Sequence, residues 1–263
     1  DEFLDLTVLP RRIAFIGGGF ISFEFAHFAA RLGGMAGQIH ILEAGDRPLG
    51  PFDTDMVSQL VKASEADGIQ VKTGVSVTSV TRNGDEYTVH FKSGPSLVVD
   101  LVVNGAGRPP NIAPLDLDAA GIESSRKGIA VNPSMQTSVP TVFAVGDCAD
   151  TVMLARVADM EAHVAARSVM ALENGHDLPA MDYRAVPAVL FTYPQLGMVG
   201  KTEETLQKEN TPYWKSFETG VNWPTYRRVG MKHAAYKILT DETGSVLGAH
   251  FLADNTTGLV NAF

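Results

Sequence analysis

Arg12-Ile13-Ala14-Phe15-Ile16-Gly17-Gly18-Gly19-Phe20-Ile21-Ser22 is the stretch that decides the fold. Ile13 to Ile16 is a short apolar run with a β-branched residue at each end, the composition of a strand buried on both faces. Three glycines follow. From Phe20 to Arg31 there is neither proline nor glycine, which predicts a helix. Gly33-Gly34 ends that helix, because glycine takes the left-handed cap without a Cβ penalty. Ile39 to Glu43 reads as a second strand. Together these segments make a βαβ unit of about 30 residues, whose two strands must run parallel.

A glycine turn between strand and helix is where a phosphate site is built. Gly17 permits the tight turn, Gly19 lets the backbone approach a pyrophosphate, and a small residue at the third position lets helix pack on strand. That third position is Ser22, which keeps the packing role. The N–H groups at the helix start then face the phosphates. Glu43, at the end of the second strand, lies further along than the usual interval of about 20 residues, the excess being placed in the Gly33–Gly37 loop. A carboxylate there accepts the ribose hydroxyls of an adenosine and repels a 2′-phosphate. This favours NAD(H) over NADP(H), with the nearby Arg47 as a counterweight. The competing reading is a tight βα turn without a ligand and a solvated Glu43.

Outward from this unit, Asp55 to Ala66 is a helix with Met56, Leu60 and Ala63 on one face. Ile69-Gln70-Val71 starts another strand. Val75–Thr81 and Tyr87–Phe91 flank Asn83-Gly84, a strong hairpin signal. Leu97–Asn104 is expected to return to the parallel sheet, making the hairpin part of an inserted β-meander. Beyond Gly107, an irregular segment leads to an expected strand at Thr141–Val145 and a helix from Arg156 to Asn174. From Tyr183 the pattern is antiparallel: strands at Ala188–Thr192, Leu196–Val199, Ala235–Thr240 and Val246–Ala253, with a helix at Thr202–Glu209. Another helix starts at Gly258 and is read as cut off. With the start at Asp1, this predicts a piece of a longer protein.

The 263 residues carry 30 acidic and 21 basic side chains, a net charge of −9, which argues against general affinity for nucleic acid or anionic membrane. The single Cys148 excludes a disulfide framework and suits a reducing, cytoplasmic setting. No apolar run reaches the ~20 residues of a spanning helix. The seven histidines show no paired spacing, so no metal is assigned. Cys148 itself reads as small packing, the Phe20, Phe23, Phe25 and Phe28 series as core and domain packing, and Trp214 and Trp223 as residues available for a subunit contact.

Four stretches, in order, resemble the pyridine nucleotide-disulfide oxidoreductase family, the flavoproteins that include glutathione reductase, dihydrolipoamide dehydrogenase and mercuric reductase. They are Ile16 to Ala26, Gly105-Ala106-Gly107-Arg108-Pro109-Pro110-Asn111, Thr141 to Asp147, and Val186 to Glu204 with Phe191-Thr192-Tyr193-Pro194. The resemblance implies an α/β fold with three parts. Residues 1–107 would be a Rossmann-like NAD(P)H-binding domain with its β-meander, 108–181 the second half of a split FAD-binding domain, and 182–263 an incomplete α+β dimerisation domain. It implies hydride passing from NAD(P)H to FAD and on to a disulfide-type acceptor in the whole protein, expected to be a homodimer. The family's N-terminal flavin segment with its redox cysteine pair, and its C-terminal His-Glu pair, are not in this sequence, so the chain alone is expected to be inactive. A flavoprotein with a peroxide, quinone or metal-ion acceptor, and a non-catalytic dinucleotide-binding module, are the alternatives.

Residue by residue, the resemblance implies that Gly17, Gly19 and Ser22 shape the pyrophosphate site and that Glu43 holds the adenosine ribose. Glu24 would lie near the nicotinamide, and Val77 and Gly107 would line the cofactor. Arg108 would structure the junction between the cofactor domains. Asp147 would accept a hydroxyl of the flavin's ribityl chain as a buried carboxylate. The family's Leu-Thr-Pro-Val-Ala is here Leu154-Ala155-Arg156-Val157-Ala158, with Arg156 in place of proline, a departure next to the expected flavin ring.

Overall fold

A computed structural model describes residues 2–33, 38–221 and 223–263. Ile13–Ile16 (β1) is a buried strand, followed through the glycine turn by Phe20–Gly33 (α1) and Ile39–Leu42 (β2). Gly34 and the rest of the loop to Gly37 lie outside the described residues. Thr54–Ala66 (α2) and Ile69–Lys72 (β3) come next, then the hairpin Val77–Asn83 (β4) and Glu86–Phe91 (β5). β1 pairs in parallel with β2, and β2 with β3.

The expected single strand from Leu97 to Asn104 is two strands in two sheets. Leu97–Val99 (β6) pairs antiparallel with β5 and completes the meander, whereas Leu101–Asn104 (β7) pairs in parallel with β1. The break is at Asp100. Its carboxylate accepts the Arg12 backbone N–H (2.9 Å) and the Arg12 guanidinium, while its own N–H donates to Arg12 O (2.8 Å). The backbone N–H groups of Asp100 and Leu101 are both given to Arg12 O, just before β1, so the chain leaves the meander there and joins the parallel sheet. The parallel sheet has the order β3-β2-β1-β7.

Residues 108–186 form a compact unit of their own. It holds the two-residue strands Ser124–Ser125 (β8) and Gly128–Ile129 (β9) and the helix Ala155–Asn174 (α3). The expected strand at Thr141–Val145 does not form; only an isolated bridge joins Gln136 and Phe143. Val142 and Ala144 donate their N–H groups to Val139 O and Met135 O in the preceding turn (2.9 and 3.1 Å). A strand needs a neighbour along its length, and among the described residues these local bonds take its place.

The other compact unit joins residues 1–107 to 187–263. The latter contribute Ala188–Leu190 (β10), Gln195–Gly200 (β11), Glu203–Lys208 (α4), Trp214–Thr219 (β12), Pro224–Arg228 (α5), Ala235–Thr240 (β13), Val246–Ala253 (β14) and Thr256–Val260 (α6). Their antiparallel sheet has the order β10-β11-β14-β13-β12. β12 was not anticipated, because five of its six residues are polar or exposed and it lies at the sheet edge, where little apolar patterning is required. α6 begins at Thr256 and ends at Val260, short of Phe263; the Thr256 hydroxyl donates to Gln195 O (2.9 Å) and fixes its start. One apolar core runs through this unit, with Ile13, Phe15, Phe23, Ile41, Met56 and Leu60 packed together with Leu190, Leu196, Ala235 and Leu252. Of the four phenylalanines read as packing, Phe23 is fully buried, whereas Phe20 and Phe28 are exposed.

A buried ionic cluster accompanies that core. Lys237 of β13 is 1% exposed, and its Nζ lies 2.7 Å from Asp53, 2.7 Å from Asp55 and 2.8 Å from Glu203. Asp53 also caps α2, accepting the N–H groups of Asp55 and Met56 (3.1 and 3.3 Å). Burial opposes ionisation of Glu203, but hydrogen bonds from Lys237, Tyr213 and Lys215 outweigh it and hold the carboxyl at about 2.

Removing the cation strands the buried carboxylates, so Lys237→Met is expected to lower stability by about 3–5 kcal/mol in urea titration. Burial holds His27 and His40 at about 4, each helped by a neighbouring cation, Arg31 and Lys72. Both rings bind protons more readily in the unfolded chain, near pH 6.5, so acid favours unfolding. Stability is expected to be full above about pH 6.5 and to fall as the pH drops toward 4. Thermal unfolding across that window checks it, and a flat profile would contradict the buried neutral histidines.

Candidate functional site

The glycine turn is wedged between the ends of β2 and β7. Gly17 donates to Leu42 O and Gly105 donates to Ile16 O, both at 2.8 Å. Gly17 has φ +93°, and a Cβ there would lie 2.7 Å from the Ala106 Cα. At Gly18 a Cβ would meet Pro48 at 2.7 Å and the Glu43 carboxylate at 2.8 Å. The fold itself demands these two glycines. Gly19 differs: the nearest atom to a Cβ would be Gly105 O, at 3.7 Å, so the backbone is open on that side. α1 starts at the next residue, and the first N–H groups of a helix have no partner within it. An open glycine before unpartnered amides is a cradle suited to an anion.

Ser22 is fully buried, and its Oγ has no hydrogen-bond partner among the described residues. It packs on Gly105, where any Cβ would collide with that oxygen. Serine at the third position therefore favours glycine at 105, where a Cβ would require the Ser22 hydroxyl to move. Glu43 sits just past β2, its Oε2 accepting the Gly18 N–H and its Oε1 the Gly45 N–H, each at 2.6 Å. A carboxylate offers about four acceptor sites, so lone pairs remain for a ligand. The Arg47 guanidinium is tied to Phe52 O and Gly50 O, both at 2.9 Å, and serves the loop before α2.

Among the residues singled out from sequence, the structure gathers Gly17, Gly19, Ser22 and Glu43 around one turn. Gly107 follows Gly105-Ala106 with φ +120° and open space beside it. Glu24 lies further along α1, half-buried, and its carboxylate accepts the Phe191 N–H at 2.9 Å. Burial raises its carboxyl above the usual range, and that hydrogen bond opposes the rise. Val77 opens β4 and packs on the meander core of Val89 and Val99.

Arg108 and Asp147 belong to the other compact unit, where they line a cleft of about 280 Å³ with Pro109, Pro110, Asn111, Cys148 and Met153. Asp147 is exposed in it, unlike the buried carboxylate expected. Its turn, Gly146–Cys148, is held by residues that sequence reasoning passed over. The fully buried Glu161 accepts the Gly146 N–H and the Tyr183 hydroxyl, both at 2.7 Å. A signal for Glu161 was present: Val157, Glu161, Ser168 and Ala171 share the buried stripe of α3, which puts a carboxylate where apolar residues are due. Lys237 carries the same kind of signal, since Ala235, Lys237 and Leu239 are the buried alternation of β13.

A parallel βαβ sheet with an open glycine turn and an acidic residue past the second strand is the architecture of a dinucleotide-binding protein. The family model for pyridine nucleotide-disulphide oxidoreductases matches residues 1–162, and that family's dimerisation-domain model matches residues 186–263. The chain belongs to the pyridine nucleotide-disulphide oxidoreductase family. It is 33% identical to a dihydrolipoyl dehydrogenase of Cupriavidus necator over 98% of this chain and 54% of that protein. Against a trypanothione reductase of Leishmania donovani it is also 33% identical, over all of this chain and 53% of the relative. The HOCl-induced flavoprotein disulfide reductase of Escherichia coli superposes with a TM-score of 0.86 at 25% identity, over 98% of this chain and 58% of that one. The chain spans about half the length of the curated relatives it matches. Among the described residues no helix is long and apolar enough to cross a membrane.

Gly17→Ala is expected to cost about 2 kcal/mol or more, from a disfavoured φ and a backbone clash, whereas Gly19→Ala should cost less than about 1 kcal/mol. Chemical denaturation of both variants checks this, and equal costs would contradict the distinction between fold-demanded and open glycines.

Proposed function

We propose that the chain comprises the NAD(P)H-binding (1–107), second flavin (108–181) and dimerisation (182–263) parts of an FAD-dependent oxidoreductase. The whole protein would pass hydride from NAD(P)H to FAD and electrons on to a disulfide-type acceptor. The observation that carries the reading is the open backbone at Gly19 with the Glu43 carboxylate 2.6 Å from the adjoining Gly18 N–H. The likeness to a trypanothione reductase and to a flavoprotein disulfide reductase supports the acceptor class.

In this reading the α1 amides and Gly19 hold the pyrophosphate, with Gly17 and Ser22 fixing the turn. Glu43 accepts ribose hydroxyls and repels a 2′-phosphate, which favours NADH. The Arg47 guanidinium already serves two backbone carbonyls, which weakens the case for NADPH. Val77 and Gly107 line the cofactor's path and Glu24 lies near the nicotinamide. In the other unit the cleft suits a polyhydroxyl chain, since Asp147 presents an exposed acceptor and Asn111 and Arg108 also line it. When bound, the nicotinamide supplies the hydride and FAD takes it up and relays the electrons. The sequence has one cysteine, so the chain alone offers no thiol pair for disulfide reduction and is expected to be inactive. The dimerisation-domain match supports a homodimer in the whole protein, with the exposed Trp214 and Trp223 available to the contact. The single free thiol supports a cytoplasmic setting.

NADH should bind about tenfold more tightly than NADPH, a difference of ~1.4 kcal/mol, and Glu43→Ala should level the two. Calorimetric titration of both nucleotides measures it; tighter NADPH binding by the wild type would overturn the ribose role of Glu43.

A further inference from the structure

Glu24, His27 and Arg31 are spaced three and four residues apart, which sets them on one face of α1. All three meet the loop between β10 and β11. Glu24 accepts the Phe191 N–H at 2.9 Å, His27 Nδ1 accepts the Tyr193 N–H at 3.4 Å, and the Arg31 guanidinium lies 3.9 Å from the centre of the Tyr193 ring. Phe191 and Tyr193 are 54% and 42% exposed and flank the buried Thr192.

The hydrogen-bond network fixes the state of His27. Ser64 Oγ of α2 donates to Leu60 O at 2.8 Å, which uses its only proton. It must therefore accept from His27 Nε2–H, 3.0 Å away. Nδ1 is left unprotonated and able to accept from Tyr193. A protonated ring would set two donors against each other there. Burial, with the nearby Arg31, holds the ring at about 4 and thus neutral at ordinary pH.

We propose that His27 and Arg31 are positioning residues that hold the Phe191 N–H on the Glu24 carboxylate, so that the dimerisation segment fixes the ionisation of a carboxylate on the nucleotide-site helix. The significance for the nicotinamide rests on the function proposed above; the geometric claim does not. The titratable and charged groups around these contacts include Glu24, His27 and Arg31 of α1, Asp67 at the end of α2, and the Tyr193 phenol of the loop. Lys232 and His233, before β13, line the same pocket as Asp67, Tyr193 and Pro194. Without the Phe191 donor, burial acts on Glu24 unopposed and its carboxyl titrates higher.

The test is carbon-detected NMR titration of the glutamate carboxyls, with the Glu24 signal assigned by its loss in Glu24→Gln. His27→Leu should shift the Glu24 midpoint upward, and His27→Asn, which keeps an acceptor near the Nδ1 position, should restore it. Arg31→Gln, at an exposed position that leaves the core intact, should shift the midpoint in the same direction and serves if His27→Leu does not fold. A midpoint unmoved in both His27→Leu and Arg31→Gln overturns the proposal. So does an equal shift in His27→Leu and His27→Asn, which would make His27 a packing residue only. NADH titration of the same wild-type sample keeps the two readings apart: no binding there defeats the nucleotide reading and leaves the Glu24 result to decide the positioning roles of His27 and Arg31.

Discussion

Asp53 bears two demands with one carboxylate. It caps α2, and it neutralises Lys237, a cation buried to 1% exposure on a strand that lies 184 residues later in the chain. Taking an ammonium group out of water costs several kcal/mol unless oxygen partners surround it, and Asp53, Asp55 and Glu203 do so. The cluster can form only if α2, the start of α4 and β13 meet in one arrangement. It therefore specifies how the parallel βαβ layer and the antiparallel sheet come together, and the apolar core beside it supplies the burial that makes the arrangement favourable.

That union shapes the candidate site from a distance. α1 presents its N-terminus at the glycine turn and a polar stripe to the loop after β10. The residues that would receive a nucleotide and those that hold the dimerisation segment thus lie on a single helix. A rigid helix transmits position well, because its side chains are fixed relative to one another by the backbone ladder. The glycine turn is closely packed for a different reason. A Cβ at Gly17 would meet the Ala106 backbone, one at Gly18 would meet Pro48, and one at Gly105 would meet the Ser22 hydroxyl.

Much of this was legible in the sequence. The Ile13–Ile16 run, the three glycines and the uninterrupted stretch after them read directly as strand, turn and helix, because local sterics and apolar periodicity act over a few residues. The Asn83-Gly84 hairpin and the main strands of the antiparallel sheet were legible for the same reason. What failed did so where a distant partner decides. Leu97–Asn104 looks continuous until Arg12 claims Asp100. Thr141–Val145 has strand composition, but a strand also requires a neighbour. β12 carries little apolar signal because an edge strand buries little.

The sequence by itself determined the glycine turn, the parallel βαβ frame and the residue types able to meet a dinucleotide, since these follow from backbone sterics and from side-chain chemistry close together in the chain. Only the tertiary structure decided that Lys237 is buried among three carboxylates and that Glu161 holds the Asp147 turn. The same is true of the Phe191 N–H that Glu24 accepts. Each pairs groups far apart in sequence, and the cost of burying charge is not set until the fold removes the water between them.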